Sequence, residues 1–241
     1  MHLSILVPLF NESRTLERSV NELRAFLQDR SIHGEIILID DGSTDETRGI
    51  MEVLAEDHVE IQCAHHAVNR GKGAAIKTGA QLARGRYIGF LDADLSTKPN
   101  VFDLALPLLT HADLVFASRA HPKSTISVQQ PLYRVLSGKL FNAYVRRLLH
   151  LPYRDTQCGF KVFHRSLLPL VAEIQADGWA FDVELLYGAR RRGLALQAIP
   201  VDWRHHGESR VALSDAFTIF HELKRIKKCT TVPPDARQTH E

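Results

Sequence analysis

Two aspartates, Asp92 and Asp94, stand one residue apart where an apolar run from Tyr87 to Leu91 ends. A buried parallel strand is apolar on both faces, and open α/β sheets take their ligands beyond the carboxyl ends of such strands. Two carboxylates at that point suit a hard divalent cation, Mg2+ or Mn2+, whose remaining positions go to substrate phosphates. The spacing alone is weak, because surface turns use aspartate freely. Ser96 could add a ligand, directly or through water, or be only a polar turn residue. A second acidic pair, Asp40-Asp41, ends another apolar run. One of these acids could accept a hydrogen bond from a base or ribose, and one could simply favour a helix N-terminus. Lys72, between Gly71 and Gly73, could reach a phosphate or a base, or sit in a solvated turn. This is neither the P-loop spacing nor a dinucleotide fingerprint, since Ile76 stands where the third glycine belongs.

The elements that must position these residues follow from periodicity. Leu3 to Leu9 reads as a buried strand, and Leu16, Val20, Leu23 and Leu27 as one face of a helix. Glu35 to Ile39 is a second strand. Ser43 and Glu46 have capping-box spacing, which predicts a helix starting there. Val59 to Cys63 predicts a third strand, Ala74 to about Ala83 a small-residue helix, and Tyr87 to Leu91 a fourth strand. Three successive strand–helix units with short connections imply a parallel sheet. Its polar turns, with Asn11, Glu12, Asp40, Asp41, Lys72, Asp92 and Asp94, then share one edge. Further on, the pattern predicts a helix from Pro99 to about Thr110 and a strand from Asp113 to Ser118. A mobile polar loop from Ala120 to Pro131 and a helix from Leu132 to Leu149 come next. A turn at Arg154 to Cys158, a strand from Gly159 to His164, helices near Leu167–Gln175 and Phe181–Arg192, and a strand from Leu194 to Trp203 complete the domain. Ser214 to Lys228 reads as an amphipathic helix, and the residues after Thr230 as a disordered tail.

Composition narrows the function. With 241 residues, 44% apolar and 24% charged, the chain suits one folded α/β domain. A net charge of +2 argues against a dedicated nucleic-acid binder. Cys63, Cys158 and Cys229 are odd in number and far apart, which is neither a disulfide framework nor a zinc pattern and favours a reducing compartment. The first residues show no signal-peptide character, and no apolar run approaches the roughly 18 residues of a membrane span.

The order and spacing of Pro8 with Asn11-Glu12, Asp40 to Asp45, Asn69 with Gly71-Lys72-Gly73, and Asp92-Ala93-Asp94 resemble the nucleotide-sugar half of family-two inverting glycosyltransferases of the GT-A fold. Ala117-Ser118-Arg119, Tyr133-Arg134, Asp155 to Lys161 and Phe181 to Glu184 are similar to the dolichyl-phosphate glucosyltransferase and mannose synthase branch. The resemblance covers about residues 3 to 228 and implies a Rossmann-like, mostly parallel central sheet flanked by helices. It implies a nucleotide-sugar half over residues 1–97, an acceptor half over 98–212, an amphipathic helix over 213–229 and a tail over 230–241. In that scheme Pro8, Phe10, Asn11, Glu12 and Asp41 hold the nucleotide, with Lys72 near its base or phosphates. Asp92, Ala93 and Asp94 handle sugar, diphosphate and the Mg2+ or Mn2+ ion, and Arg119 and Arg134 grip an acceptor phosphate. Two departures stand out. The mannose synthases carry Gln where Ser96 stands, and many members append transmembrane helices that this sequence lacks.

The expected activity is transfer of a hexose, with UDP-glucose preferred, to a polyprenyl or dolichyl phosphate with inversion. A glycan or small hydroxyl acceptor is the alternative, as is a non-catalytic nucleotide-sugar-binding partner subunit. Asp182 and Glu184 could orient the sugar, serve as base for a hydroxyl acceptor, or cap a helix. His205-His206 cannot both join a metal, because adjacent strand residues face opposite ways. Ser214 to Lys228, with Phe217, Phe220 and Leu223 on one side and four basic residues at its end, could lie on an anionic bilayer or pack on the domain. A peripheral enzyme at the cytoplasmic face of a membrane is the expectation.

Overall fold

The computed structural model describes residues 2–127, 132–204 and 222–228. Strands β1 (Leu3–Leu9), β2 (Gly34–Asp40), β3 (Ile61–His65) and β4 (Tyr87–Phe90) are separated by helices α1 (Leu16–Asp29), α2 (Thr47–Asp57) and α3 (Lys72–Leu82). Then come α4 (Val101–Leu108), β5 (Leu114–Ala117), β6 (Thr125–Ile126), α5 (Leu132–Leu149) and β7 (Lys161–His164). Helices α6 (Leu168–Glu173) and α7 (Phe181–Arg191) and strands β8 (Leu196–Ile199) and β9 (Asp202–Trp203) complete the series. Residues 222–228 are helical.

The main sheet has seven strands in the order β3-β2-β1-β4-β7-β5-β8. All its pairings are parallel except those of β7, which runs antiparallel between β4 and β5. The exception sets the site. An antiparallel β7 starts at the edge where β4 and β5 end, pairing Lys161 with both Phe90 and Phe116. Residues 155–160, which precede β7, therefore join residues 91–96 and 118–119 at one edge of the sheet.

The apolar runs separate onto two faces with period two. Leu3, Ile5, Val7 and Leu9, with Ile36 and Leu38, pack against α1, α2 and α4. Leu6, Ile37 and Ile39 face the opposite way, toward α3, α5, α6, α7 and the buried Leu223 and Ile226. Fully burying each such Leu or Ile is worth roughly 1.5–3 kcal/mol. On α3 the small residues permit a close approach: a Cβ on Gly79 would lie 2.6 Å from Ile39 Cδ1.

Several local expectations are corrected. Ser43 does not cap α2, which starts at Thr47 with no side-chain cap. Its hydroxyl instead accepts the Asn11 backbone N–H at 2.8 Å, joining the first two turns of the site edge. The third strand lies two residues later than Val59–Cys63. The last strand divides into β8 and β9 around Pro200, whose ring leaves no N–H for a ladder. The polar segment after Ala120 is not wholly loop, since β6 pairs with β9. His205-His206, Phe217, Phe220 and Cys229 lie outside the described residues.

Candidate active site

The first two turns are knitted together by side chains. Asn11 has left-handed backbone (φ 54°), a conformation asparagine tolerates, and its Oδ1 accepts the Thr44 N–H at 2.8 Å. Glu12 N donates to Thr47 Oγ1 at 2.7 Å, and Ser13 N to Asp45 Oδ2 at 3.2 Å. Burial opposes ionisation of Asp45, but hydrogen bonds from Thr47 and Ser13 overcome it and bring its pKa down to about 2. Pro8 and Phe10 flank this turn, both partly exposed.

Asp41 is only 2% exposed. Its oxygens accept the N–H groups of Arg70 at 3.0 Å and Gly71 at 2.7 Å, and His66 Nδ1 lies 2.7 Å from Oδ1. The carboxylate thus fixes the loop that launches α3. Gly71 is required there: its φ is 101°, and a Cβ would meet Asp177 O at 2.5 Å. Lys72, the first residue of α3, is aimed by this turn across the sheet edge.

Lys72 Nζ donates to Asp92 Oδ1 at 2.6 Å and lies 3.7 Å from Asp182 Oδ2. Burial disfavours the ammonium, but Asp182 and Asp92 outweigh it and raise its pKa. The same balance holds Asp92 below the ordinary carboxylate value: burial works against the charge, and Lys72, then Lys161 and Arg119, prevail. Asp94, two residues on, accepts the Ser96 N–H at 2.9 Å and the Ser96 hydroxyl at 2.7 Å. Leu95 between them has φ 48°, which costs roughly 1–2 kcal/mol in a non-glycine residue, in the turn that carries both partly exposed carboxylates.

Across the edge, Arg119 is fixed by Asp155. Asp155 Oδ2 accepts both Arg119 N and Nε at 2.8 Å, and Oδ1 accepts Nη2 at 2.9 Å. The guanidinium also lies over the Trp203 ring at 5.5 Å. Trp203 bridges to Thr97, and Arg204 N donates to Ser96 O at 3.0 Å, so the arginine and the aspartate pair share a scaffold. Burial alone would lower the Arg119 pKa and raise that of Asp155, but the pair reverses both shifts. Burial pushes the neighbouring Cys158 thiol up.

The predicted residues Asp92, Ala93, Asp94, Ser96, Lys72, Asp182 and Arg119 therefore meet at one edge, with Pro8, Phe10, Asn11, Glu12 and Asp41 beside them at the ends of β1 and β2. Arg134 lies in the first turn of α5, and its side chain is outside the described residues. Asp182 is 2% exposed and lies between the Lys161 ammonium at 2.5 Å and the Lys72 ammonium at 3.7 Å. Ser96 spends its hydroxyl on Asp94. Glu184 accepts the N–H groups of Gln175 and Ala176, tying down the loop before α7.

Sequence reasoning assigned no part to Lys161, Asp155, Gly159 or Trp203. Lys161 carried a signal, a lone lysine among Phe160, Val162 and Phe163. Among the described residues, no group of three or more His, Cys, Asp or Glu could hold a metal. The partly exposed carboxylates of Asp92 and Asp94, one residue apart, nonetheless fit Mg2+ or Mn2+, which take one or two carboxylates and complete their shell with substrate phosphates and water.

The profile of the family described as Glycosyl transferase family 2 matches residues 4–170. A dolichyl-phosphate beta-glucosyltransferase of Trichomonas vaginalis is 32% identical over 238 residues, covering 94% of this chain and 73% of that protein. The human dolichyl-phosphate beta-glucosyltransferase is 33% identical over 216 residues, covering 83% and 67%. Among solved structures, a glucosyl-3-phosphoglycerate synthase of Mycobacterium tuberculosis, bound to Mn2+, UDP-glucose and phosphoglyceric acid, superposes with a TM-score of 0.69. It shares 21% identity over 94% of this chain and 80% of that one.

Proposed function

The chain belongs to glycosyl transferase family 2, and from that membership we propose that it is a hexosyltransferase carrying glucose from UDP-glucose to a polyprenyl or dolichyl phosphate with inversion at the anomeric carbon. The relatives named above support the acceptor and the sugar. The observation that carries the reading is Arg119, locked by Asp155 with one edge of its guanidinium left over, beside the aspartate pair. A planar fork of this kind matches phosphate oxygens, and its fixed orientation removes the entropy cost of holding a flexible cation.

The chemistry asks little else of the acceptor side. A phosphate monoester has its second pKa near roughly 6 and is already an anion at neutral pH, so no base need remove a proton. The acceptor oxygen forms a bond to C1 as the C1–O bond to the diphosphate breaks, and the electron pair leaves with the nucleoside diphosphate. Arg119, with Arg134 from α5, positions the incoming phosphate. The turns at Pro8 to Glu12 and at Asp41 hold the nucleotide, and Lys72 lies where a diphosphate would approach. Asp92 and Asp94 would hold the divalent cation, which when bound offsets the charge of the leaving group. Ser96 keeps Asp94 in place.

No helix among the described residues is long and apolar enough to cross a membrane. Leu223 and Ile226 are buried against the domain, while Lys224, Arg225, Lys227 and Lys228 face outward. This basic face supports peripheral docking on an anionic membrane at the cytoplasmic side, driven by charge. The proposal is tested by supplying Mn2+, UDP-glucose and three acceptors in turn: a short polyprenyl phosphate, the matching polyprenol, and a free sugar. Product with the phosphate alone supports it; product with the sugar or polyprenol overturns the acceptor assignment.

A further inference from the structure

Lys161 is a lysine with 0% exposure inside a strand, and the reaction gives it no direct part. Its ammonium donates to Asp182 Oδ1 at 2.5 Å and to Cys158 O at 3.0 Å, and it lies 5.5 Å from the Phe90 ring centroid. Asp182 is its counter-ion and almost equally buried. The second oxygen of Asp182 lies 3.7 Å from Lys72 Nζ, which in turn contacts Asp92 at 2.6 Å. The order along this chain of charges is Lys161, Asp182, Lys72, Asp92: two ammonium groups alternating with two carboxylates, of which only the last reaches the partly open donor edge.

We propose that Lys161 is a positioning residue for the donor site: it neutralises Asp182, so that Lys72 is directed to Asp92 and to the substrate diphosphate instead of being drawn inward. A buried carboxylate without a partner is costly. Were Lys161 apolar, Asp182 would have Lys72 as its near cation, and a shift of about 1 Å would bring the two into full contact. Lys72 would then leave Asp92. With Lys161 in place the attraction of Asp182 is already met, and Lys72 remains available to the donor. The inference rests on the donor assignment above, and it makes a statement about Lys72 that can be read without turnover.

The test is Lys161→Met, with Lys161→Gln, which keeps a donor for the Cys158 carbonyl, in its place should the first fail to fold. A crystal structure of the variant is expected to show Lys72 Nζ on Asp182 and off Asp92. In kinetics, the KM for UDP-glucose is expected to rise about ten-fold, the size of one lost charge-assisted hydrogen bond, with a smaller change in the acceptor KM. Adding Asp182→Asn removes the inward pull, and the donor KM should fall back toward the parent value. A folded variant with Lys72 still on Asp92 and an unchanged donor KM overturns the inference, as does a double variant no better than the single. Absence of turnover in the parent protein would count against the donor reading alone, since the position of Lys72 remains readable.

Discussion

The carboxylate of Asp92 occupies the space that a side chain on residue 159 would fill: a Cβ on Gly159 would lie 1.8 Å from Asp92 Oδ2. The glycine comes from the turn before an antiparallel strand, and the aspartate from the end of the neighbouring parallel one. Their contact is where the two halves of the site close on each other. Gly159→Ala should push Asp92 away from Lys72 by about 1 Å or more, and displacements of that size cost about 100-fold in rate. Steady-state kinetics should show that loss with the far-ultraviolet circular dichroism unchanged. A variant with near-parent activity would mean that Asp92 is not held at a critical place.

Arg119→Lys keeps the charge but not the fork. Lysine cannot make the paired bonds to Asp155 Oδ1 and Oδ2 that orient the arginine, nor stack a plane on Trp203. The acceptor KM should rise at least about ten-fold, since hydrogen bonds between charged groups contribute about 1.5–3 kcal/mol. The donor KM should stay within about two-fold by the same reasoning. Equal losses for both substrates would remove Arg119 from the acceptor side.

Ser96→Ala deletes the hydroxyl that donates to Asp94 and keeps the backbone bond beside it. One such bond contributes about 1 kcal/mol, so turnover should fall about five- to ten-fold, and more Mn2+ should be needed for half-maximal rate. A rate loss that excess Mn2+ restores fully would make Ser96 an aid to metal binding and not to the alignment of Asp94 for the reaction.

Asp45 links the pH response to the turns after β1 and β2. Its folded pKa of about 2 lies below the ordinary value of 3.8. A depressed carboxylate gives stability that is fully present above the unfolded value and is lost as pH falls through the folded one. The stability gap between parent and Asp45→Asn should therefore be constant at neutral pH and narrow progressively between about pH 5 and pH 1. Denaturant titrations across that range check it. A gap that does not narrow on acidification would contradict the assigned hydrogen bonds.

Basic docking predicts salt dependence. Replacing Lys224, Lys227 and Lys228 with glutamate should abolish sedimentation with vesicles containing anionic lipid. The parent protein should itself dissociate as ionic strength rises, because charges at a surface are screened beyond about 8 Å at physiological salt. Binding that ignores both changes would point to apolar contacts elsewhere.

The part of the site edge built by β1, β2 and β4 was legible because its residues are local. Apolar runs ending in Asp40-Asp41 and Asp92-Ala93-Asp94 declare both the strands and the edge where they stop. Asn11 and Glu12 lie in the turn their own strand creates. The part of the edge beyond β4 was not legible in the same way. Its logic depends on β7 running antiparallel, which no periodicity reveals, and on pairs far apart in sequence: Arg119 with Asp155, Asp92 with Gly159, Lys161 with Asp182. The capping-box spacing of Ser43 and Glu46 misled because Asn11 competes for the serine hydroxyl, a tertiary contact that local patterns do not encode. Asp182 was visible as an acid in a helix first turn, but its enclosure by Lys72 and Lys161 was not.

The structure of the product tests the central claim most directly. The lipid formed from UDP-glucose, whose sugar is α-linked, should be isolated and examined by 31P and 1H nuclear magnetic resonance. The account predicts a phosphodiester whose phosphorus couples to the anomeric proton of a β-linked glucose. A glucose joined through a hydroxyl, an α-linked product, or free glucose as the sole product would contradict it.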